Sequence, residues 1–243
     1  MKNIEASQKV TPTLFVGLGG MGSRCIKSIW SKIVKDPKFE SHYKGAIQAL
    51  ALDTDAGQLM ELEGWSDGLI KTALISGFDK QAYAEQLRGN GPYDADEYFT
   101  QWCPYDYEFR GGGAAGAGQI RIESRLSVYH ECENQGPTGL TATLASAVKA
   151  MYNVDRGYTN FQVRPQVHVF FSIAGGTGSG SHLMTAYLIR QAFKTQLIDR
   201  TPFITANIVM PQAFGHLAGE NAPGIYANGY AALKEIEHHM KLS

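Results

Sequence analysis

A chain of 243 residues with 44% hydrophobic and 19% charged side chains can bury one large core and is too apolar to stay disordered. Its formal net charge of −1 supplies no basic field of the kind that draws nucleic acid, so no nucleic-acid partner is expected. No run approaches the ~18 apolar residues of a membrane-crossing helix, and the opening MKNIEASQKVTPT lacks the apolar stretch of a secretory signal. A cytoplasmic protein without direct membrane insertion is expected. Cys25, Cys103 and Cys132 lie far apart and make no CxxC pair, and no HExxH pattern occurs, so reduced thiols and no zinc site are expected.

The predicted elements alternate. Residues 13–16 form a short β-prone run that stops at glycine. Ile26, Ile29, Trp30, Ile33 and Val34 then recur at helical spacing until Pro37. AIQALAL at 46–52 reads as a buried strand ending at Asp53. A strand, a glycine turn, a helix and a second strand imply a parallel pair with a right-handed crossover. Residues 69–76 read as a further strand, whereas 60–110 as a whole reads as an irregular insertion rich in Gly, Pro, Asp and aromatics near its end. Helices are predicted over about 121–133 and 141–152. QVHVFFSI at 166–173 is the strongest strand signal, running into AGGTGSGS and another helix. A strand over 203–210 ends at Pro211, and a last helix starts near Tyr226 with Tyr230, Leu233, Ile236 and Met240 on one apolar stripe. The order predicts a three-layer α/β fold with a mainly parallel sheet flanked by helices.

Twenty-seven glycines are present, and many fall in GLGGMG at 17–22, GGGAAGAG at 111–118 and GGTGSG at 175–180. Glycine is used where the backbone needs unusual angles or close approach, so three clusters suggest loops converging on one ligand. The GGTGSGS segment stands between a strand and a helix. There the free N–H groups and the helix dipole favour an anion, and Thr177, Ser179 and Ser181 offer hydroxyl donors. It has no lysine, so it is not a GxxxxGK[ST] loop, and no GxSxG elbow marks a serine nucleophile.

These segments resemble the tubulin/FtsZ superfamily, and specifically its bacterial tubulin-like members. GGTGSGS is similar to the glycine loop that grips the nucleotide phosphates in that family. GLGGMGSR at 17–24 resembles its first glycine loop, ALDTDAGQL at 51–59 the segment after the second strand, and GAGQIR at 116–121 a loop that approaches the terminal phosphate. MPQAF at 210–214 resembles the ribose-side loop, and IYANGYAALKEI at 225–236 the start of the long central helix. Two departures stand out. Arg24 occupies a position where asparagine is usual, and Tyr226 is followed four residues on by Tyr230 where an amide or acid is usual.

The resemblance implies a GTP- or GDP-binding domain over 1–225, with 226–243 beginning a helix that leads to a further domain. It implies phosphate contacts from Gly19, Gly20, Met21, Gly22, Ala117, Gly118, Gly175, Gly176, Thr177, Gly178, Ser179 and Gly180. Base or ribose contacts would come from Arg24, Tyr226 and Asn228. Tyr230 could stack on a base instead, but it also fits the apolar stripe. Asp53 and Asp55 either position Mg²⁺ through water or cap the following helix. Arg121 either neutralises phosphate charge or is a surface arginine. GGGAAGAG either supplies backbone donors or is a plain linker. The resemblance further implies head-to-tail homopolymers, with GTP hydrolysis completed by acids from the adjacent subunit, beyond Ser243 in each chain. Two alternatives stay open. One is a nucleotide-binding scaffold that does not polymerise. The other is an NAD- or FAD-binding enzyme, since Gly17, Gly19 and Gly22 satisfy GxGxxG. Against that second alternative, Asp53 lies 31 residues past Gly22 where about 20 is usual, and GGTGSGS is left unexplained.

Overall fold

The sheet is built from the centre outward. β1 (Thr13–Leu18) pairs in parallel with β2 (Ile47–Asp53) on one side and β4 (Gln166–Ser172) on the other, so that Leu18 faces both Leu52 and Phe171. β3 (Ile70–Leu74) extends the sheet beyond β2, and β5 (Phe203–Val209) extends it beyond β4. The strand order is β3-β2-β1-β4-β5, all parallel. In this computed structural model, residues 9–89, 94–110, 116–133, 139–154, 157–196, 200–214, 219 and 222–241 are described.

Strand alternation sends successive side chains to opposite faces. Leu14, Val16 and Leu18 of β1 point into one core with Leu50, Leu52, Val167, Val169 and Phe171. That face is covered by α6 (Leu140–Tyr152) and α7 (Gly176–Thr195). Phe15, Ala49, Ala51 and Phe170 point the other way, against Ile26 and Trp30 of α1 (Gly19–Ile33) and Leu59 and Leu62 of α2 (Ala56–Ser66). Both faces are therefore apolar, as a parallel sheet with helices on each side requires. This is the expected three-layer α/β architecture.

The irregular insertion expected over 60–110 needs correction. Its first part packs on the sheet as the end of α2 and joins the sheet as β3, the strand expected over 69–76. The rest contains α3 (Lys80–Arg88) and α4 (Glu97–Trp102), with Asp79 and Asp96 capping their starts. Aromatic residues that read as loop content fill a separate small core. Phe99, Cys103 and Phe109 pack there with Ala84 and with Leu126 of α5 (Arg121–Glu133). A buried ion pair, Lys80 Nζ to Glu123 Oε2 at 3.1 Å, seals this unit onto α5.

The last helix, α8 (Ala222–Lys241), starts before Tyr226. Most of its expected apolar stripe faces outward: Tyr230 is 67% and Met240 73% exposed and Leu233 is also exposed, while Ile236 is half-buried. The buried side carries Ile225, Asn228, Gly229 and Ala232 instead. Gly229 lets the helix approach the turn at Pro211–Ala213, since a Cβ there would lie 2.4 Å from Pro211 Cγ.

Candidate functional site

Chain direction across the sheet reverses between β1 and β4, because β2 and β3 lie to one side and β4 and β5 to the other. Ligands of open α/β sheets gather at such a switch point, beyond the carboxyl ends of the strands. A cleft of about 410 Å³ lies there. The chain leaves β1 directly into α1 and leaves β4 through a three-residue link into α7. Neither helix has a side-chain cap at its start, where Leu18 and Gly175 stand, and neither has an acid in its first turn. Two sets of unengaged N–H groups and two positive dipole ends therefore open into one space, which suits a polyanion.

Of the expected phosphate residues, Gly19, Gly20, Met21, Ala117, Gly118, Gly175, Gly176, Thr177 and Gly178 line the cleft. Gly19 has φ +70, an angle that side-chain-bearing residues rarely adopt. Gly22, Ser179 and Gly180 do not line it. A Cβ on Gly22 would lie 2.2 Å from Phe170 O, and one on Gly180 2.0 Å from Arg121 O. These two glycines admit close packing of α1 on β4 and of α7 on α5. The hydroxyl donors expected from the serines are engaged within the helix. Ser179 Oγ donates to the carbonyls of Gly175 and Gly176, and Ser181 Oγ donates to Thr177 O at 2.6 Å.

Thr177 Oγ1 instead donates to Asp53 Oδ1 at 3.1 Å and lies 2.9 Å from Thr54 Oγ1. Asp53 is 3% exposed, and the same Oδ1 accepts from the backbone N of Thr54 (2.7 Å) and of Asp55 (3.3 Å). Burial pushes its pKa up, against the pull of these hydrogen bonds. Asp55 caps α2, accepting from Gly57 N at 2.9 Å and Gln58 N at 3.3 Å through Oδ1, and it also lines the cleft. The capping alternative is thus realised for Asp55. In both acids the hydrogen bonds fall on Oδ1 and leave Oδ2 as the oxygen for a cation. A buried carboxylate whose charged form is disfavoured gains by meeting Mg²⁺, so the pair fits a water-bridged ion. No cluster of three or more His, Cys, Asp or Glu suited to direct metal ligation occurs among the described residues.

The loop at 116–119 crosses between the start of α7 and Asp55. A Cβ on Gly176 would meet Ala117 Cβ at 2.9 Å, and one on Gly116 would meet Asp55 Cβ at 3.7 Å. Residues 111–115 of the glycine cluster lie outside the described residues. Arg121 neither points into the cleft nor extends into solvent. Its Nη2 donates to Ser179 O (3.1 Å) and pairs with Glu235 Oε2 (2.5 Å), while Arg125 pairs with Glu235 Oε1.

The three residues expected at the base or ribose are not among those lining the cleft. Arg24 is exposed on α1, and Tyr226 is 44% exposed on α8. Asn228 is buried and donates through Nδ2 to Gln119 O (2.7 Å) and Ala174 O (3.0 Å), so both amide hydrogens are engaged as a brace between two loops. At the β5 end of the cleft stand Phe214 and Ile225 instead. Neither was named singly as a site residue, although Phe214 ends the MPQAF segment likened to the ribose-side loop and Ile225 opens the segment likened to the start of the central helix. Gln58 was also missed. It lines the cleft, and its Oε1 occupies the space beside Gly20, 2.1 Å from where a Cβ there would stand; the signal for it was the Asp-x-x-Gln spacing of a helix start from Asp55.

The sequence pattern of the family described as tubulin like matches residues 14–243. The chain belongs to the tubulin-like family. It thereby joins the tubulin/FtsZ superfamily, and its parallel sheet with helices on both faces is the α/β fold expected. No curated protein sequence matches it. Solved structures similar to this tubulin-like chain include the FtsZ W319Y mutant from M. jannaschii, with 16% identity over 91% of this chain and 44% of that one and a TM-score of 0.37. Another is CetZ2 from Haloferax volcanii, described as a GTPγS-bound protofilament, with 16% identity over 91% of this chain and 56% of that one and a TM-score of 0.38. The chain thus spans about half the length of these relatives. No helix among the described residues is long and apolar enough to cross a membrane.

Proposed function

We propose that this tubulin-like chain binds GTP and GDP with Mg²⁺ and assembles head-to-tail with copies of itself. The observation that carries the nucleotide reading is the pair of uncapped helix starts, α1 and α7, opening into one cleft at the sheet's switch point. The order of groups along the cleft gives the ligand a direction. Apolar Phe214 and Ile225 at the β5 end suit a base, the glycine loops at the β1 and β4 ends suit the α- and β-phosphates, and Asp53 and Asp55 at the β2 end suit a Mg²⁺ on the terminal phosphate. Family membership supports guanine as the base, which Asn228, engaged with Gln119 and Ala174, does not select. Family membership also supports self-assembly. A head-to-tail contact is heterologous and propagates as an open filament, in which the neighbouring subunit completes the site for hydrolysis.

Denaturing the purified protein and identifying the released nucleotide tests the first part. Stoichiometric guanine nucleotide is expected; a nicotinamide or flavin spectrum, or no nucleotide after incubation with GTP and Mg²⁺, overturns it. Sedimentation with GTP against GDP tests the second. Pelleting that depends on GTP is expected, whereas nucleotide binding without polymer under either condition supports a scaffold role.

A further inference from the structure

The cleft poses a charge problem. A nucleoside triphosphate carries about four negative charges when unprotonated, yet no Lys or Arg is among the described residues that line the cleft, and two of them are Asp. Helix dipoles contribute only about half a charge each. One Mg²⁺ removes two charges, and more is removed when a side-chain cation reaches the terminal phosphate.

Two nearby arginines are engaged. Arg121 and Arg125 both hold Glu235. Arg110 differs. Its backbone N donates to Glu123 Oε1 at 3.0 Å, and Tyr107 OH donates to the same oxygen at 2.9 Å, while Lys80 holds the other carboxylate oxygen. Glu123 is fully buried, so the Arg110 backbone is tied to α5 through a buried carboxylate. The side chain is exposed, and its guanidinium makes no hydrogen bond to a described residue. It packs on Gly118, where an added Cβ would lie 2.0 Å from Nη1. Gly118 is itself a wall of the cleft, in the loop that reaches Asp55 at the Mg²⁺ end.

Resting on the nucleotide reading of the cleft, we propose that Arg110 is a phosphate-binding residue that supplies the missing positive charge to the terminal phosphate and so favours triphosphate over diphosphate. A fixed backbone with a free guanidinium limits the ordering cost of the contact, and the planar fork suits two phosphate oxygens at once.

The test is calorimetric titration of the full chain with GTP and with GDP, each with Mg²⁺, for wild type, Arg110→Gln and Arg110→Lys. Arg110→Gln is expected to weaken GTP about tenfold or more while leaving GDP within about twofold, since a hydrogen bond to a charged group is lost for one ligand only. Arg110→Lys is expected to fall between, because it keeps the charge and loses the fork. It also decides the matter if Arg110→Gln does not fold. Equal losses for both nucleotides, or unchanged GTP affinity, overturn the role of Arg110 and leave the cleft assignment standing. A wild-type protein that binds neither nucleotide overturns both.

Discussion

Thr177 donates its hydroxyl to Asp53 across 3.1 Å, joining the start of α7 to the end of β2 over the intervening strand β1. Both residues line the cleft, so the threonine of the glycine loop acts first as a cross-tie between two of its walls. Thr177→Val keeps the shape and removes the donor. It leaves Asp53 buried with one bond fewer, and a loss of about 1–3 kcal/mol in chemical denaturation is expected, together with weaker nucleotide binding. An unchanged denaturation midpoint would count against the cross-tie.

Two glycines of the same loop should respond in opposite ways. Gly175 has extended backbone angles, and a Cβ there meets nothing within 4 Å. Gly175→Val places its side chain in the open cleft. Nucleotide retention should be lost while stability changes by less than about 1 kcal/mol, the scale of an altered cap. Gly180→Ala drives a methyl into Arg121 O and Ser124 Oγ, and a loss of about 1–3 kcal/mol or more is expected from overpacking. Melting curves with a nucleotide-release assay on both variants check the contrast.

Lys80 and Glu123 are 5% and 1% exposed at their side chains. Lys80→Met leaves the Glu123 carboxylate buried without its counter-charge, and about 3–5 kcal/mol should be lost in urea denaturation. A loss under about 1 kcal/mol would mean that the hydrogen bonds from Tyr107 and the Arg110 backbone hold the carboxylate unaided.

The raised pKa of Asp53 gives a pH signature with a definite sign. Burial makes the charged form costly in the folded state, so the folded protein holds the proton more tightly than the unfolded chain does. The resulting contribution to stability is full below the unfolded carboxyl value of about 3.9 and is lost as pH rises through the elevated folded value. Relative to Asp53→Asn, wild type should therefore lose stability from pH 4 upward. Denaturation of the two proteins from pH 4 to 8 without nucleotide measures the difference, and parallel profiles would refute it. Mg²⁺ with GTP should lower the pKa of the group and flatten the profile.

Much of the fold was legible because short apolar, β-prone runs bounded by glycine or an acid leave little choice. QVHVFFSI before a glycine loop became β4, and AIQALAL before Asp53 became β2, each within a residue or two. The 60–110 region was misread because its aromatic residues build a local core with α5, a partner more than ten residues further on that no local pattern reveals. The outward face of α8 was misread for a related reason: Tyr230 and Leu233 are apolar by type, while the face that packs carries the small residues Gly229 and Ala232 and the polar Asn228. At the site, backbone contributors were readable as glycines. What each side chain bonds to was not, since Thr177 to Asp53 and Asn228 to Gln119 span more than a hundred residues.

Asn228→Leu retains size and removes both donors. The carbonyls of Gln119 and Ala174 then lose a partner inside the protein, and a cost of about 1–3 kcal/mol is expected. Faster amide exchange at Ile120, whose N donates to Ala117 O, is expected alongside it, read by hydrogen–deuterium exchange. Unchanged exchange there would show that the loop holds its shape without the brace.

A single amide thus fastens three distant stretches of the chain at one point. α8 is 20 residues long, about 30 Å of rigid rod, and is pinned near its foot by Asn228 and partway up by Glu235. If either loop shifts by an ångström, the rod must pivot or the amide must let go.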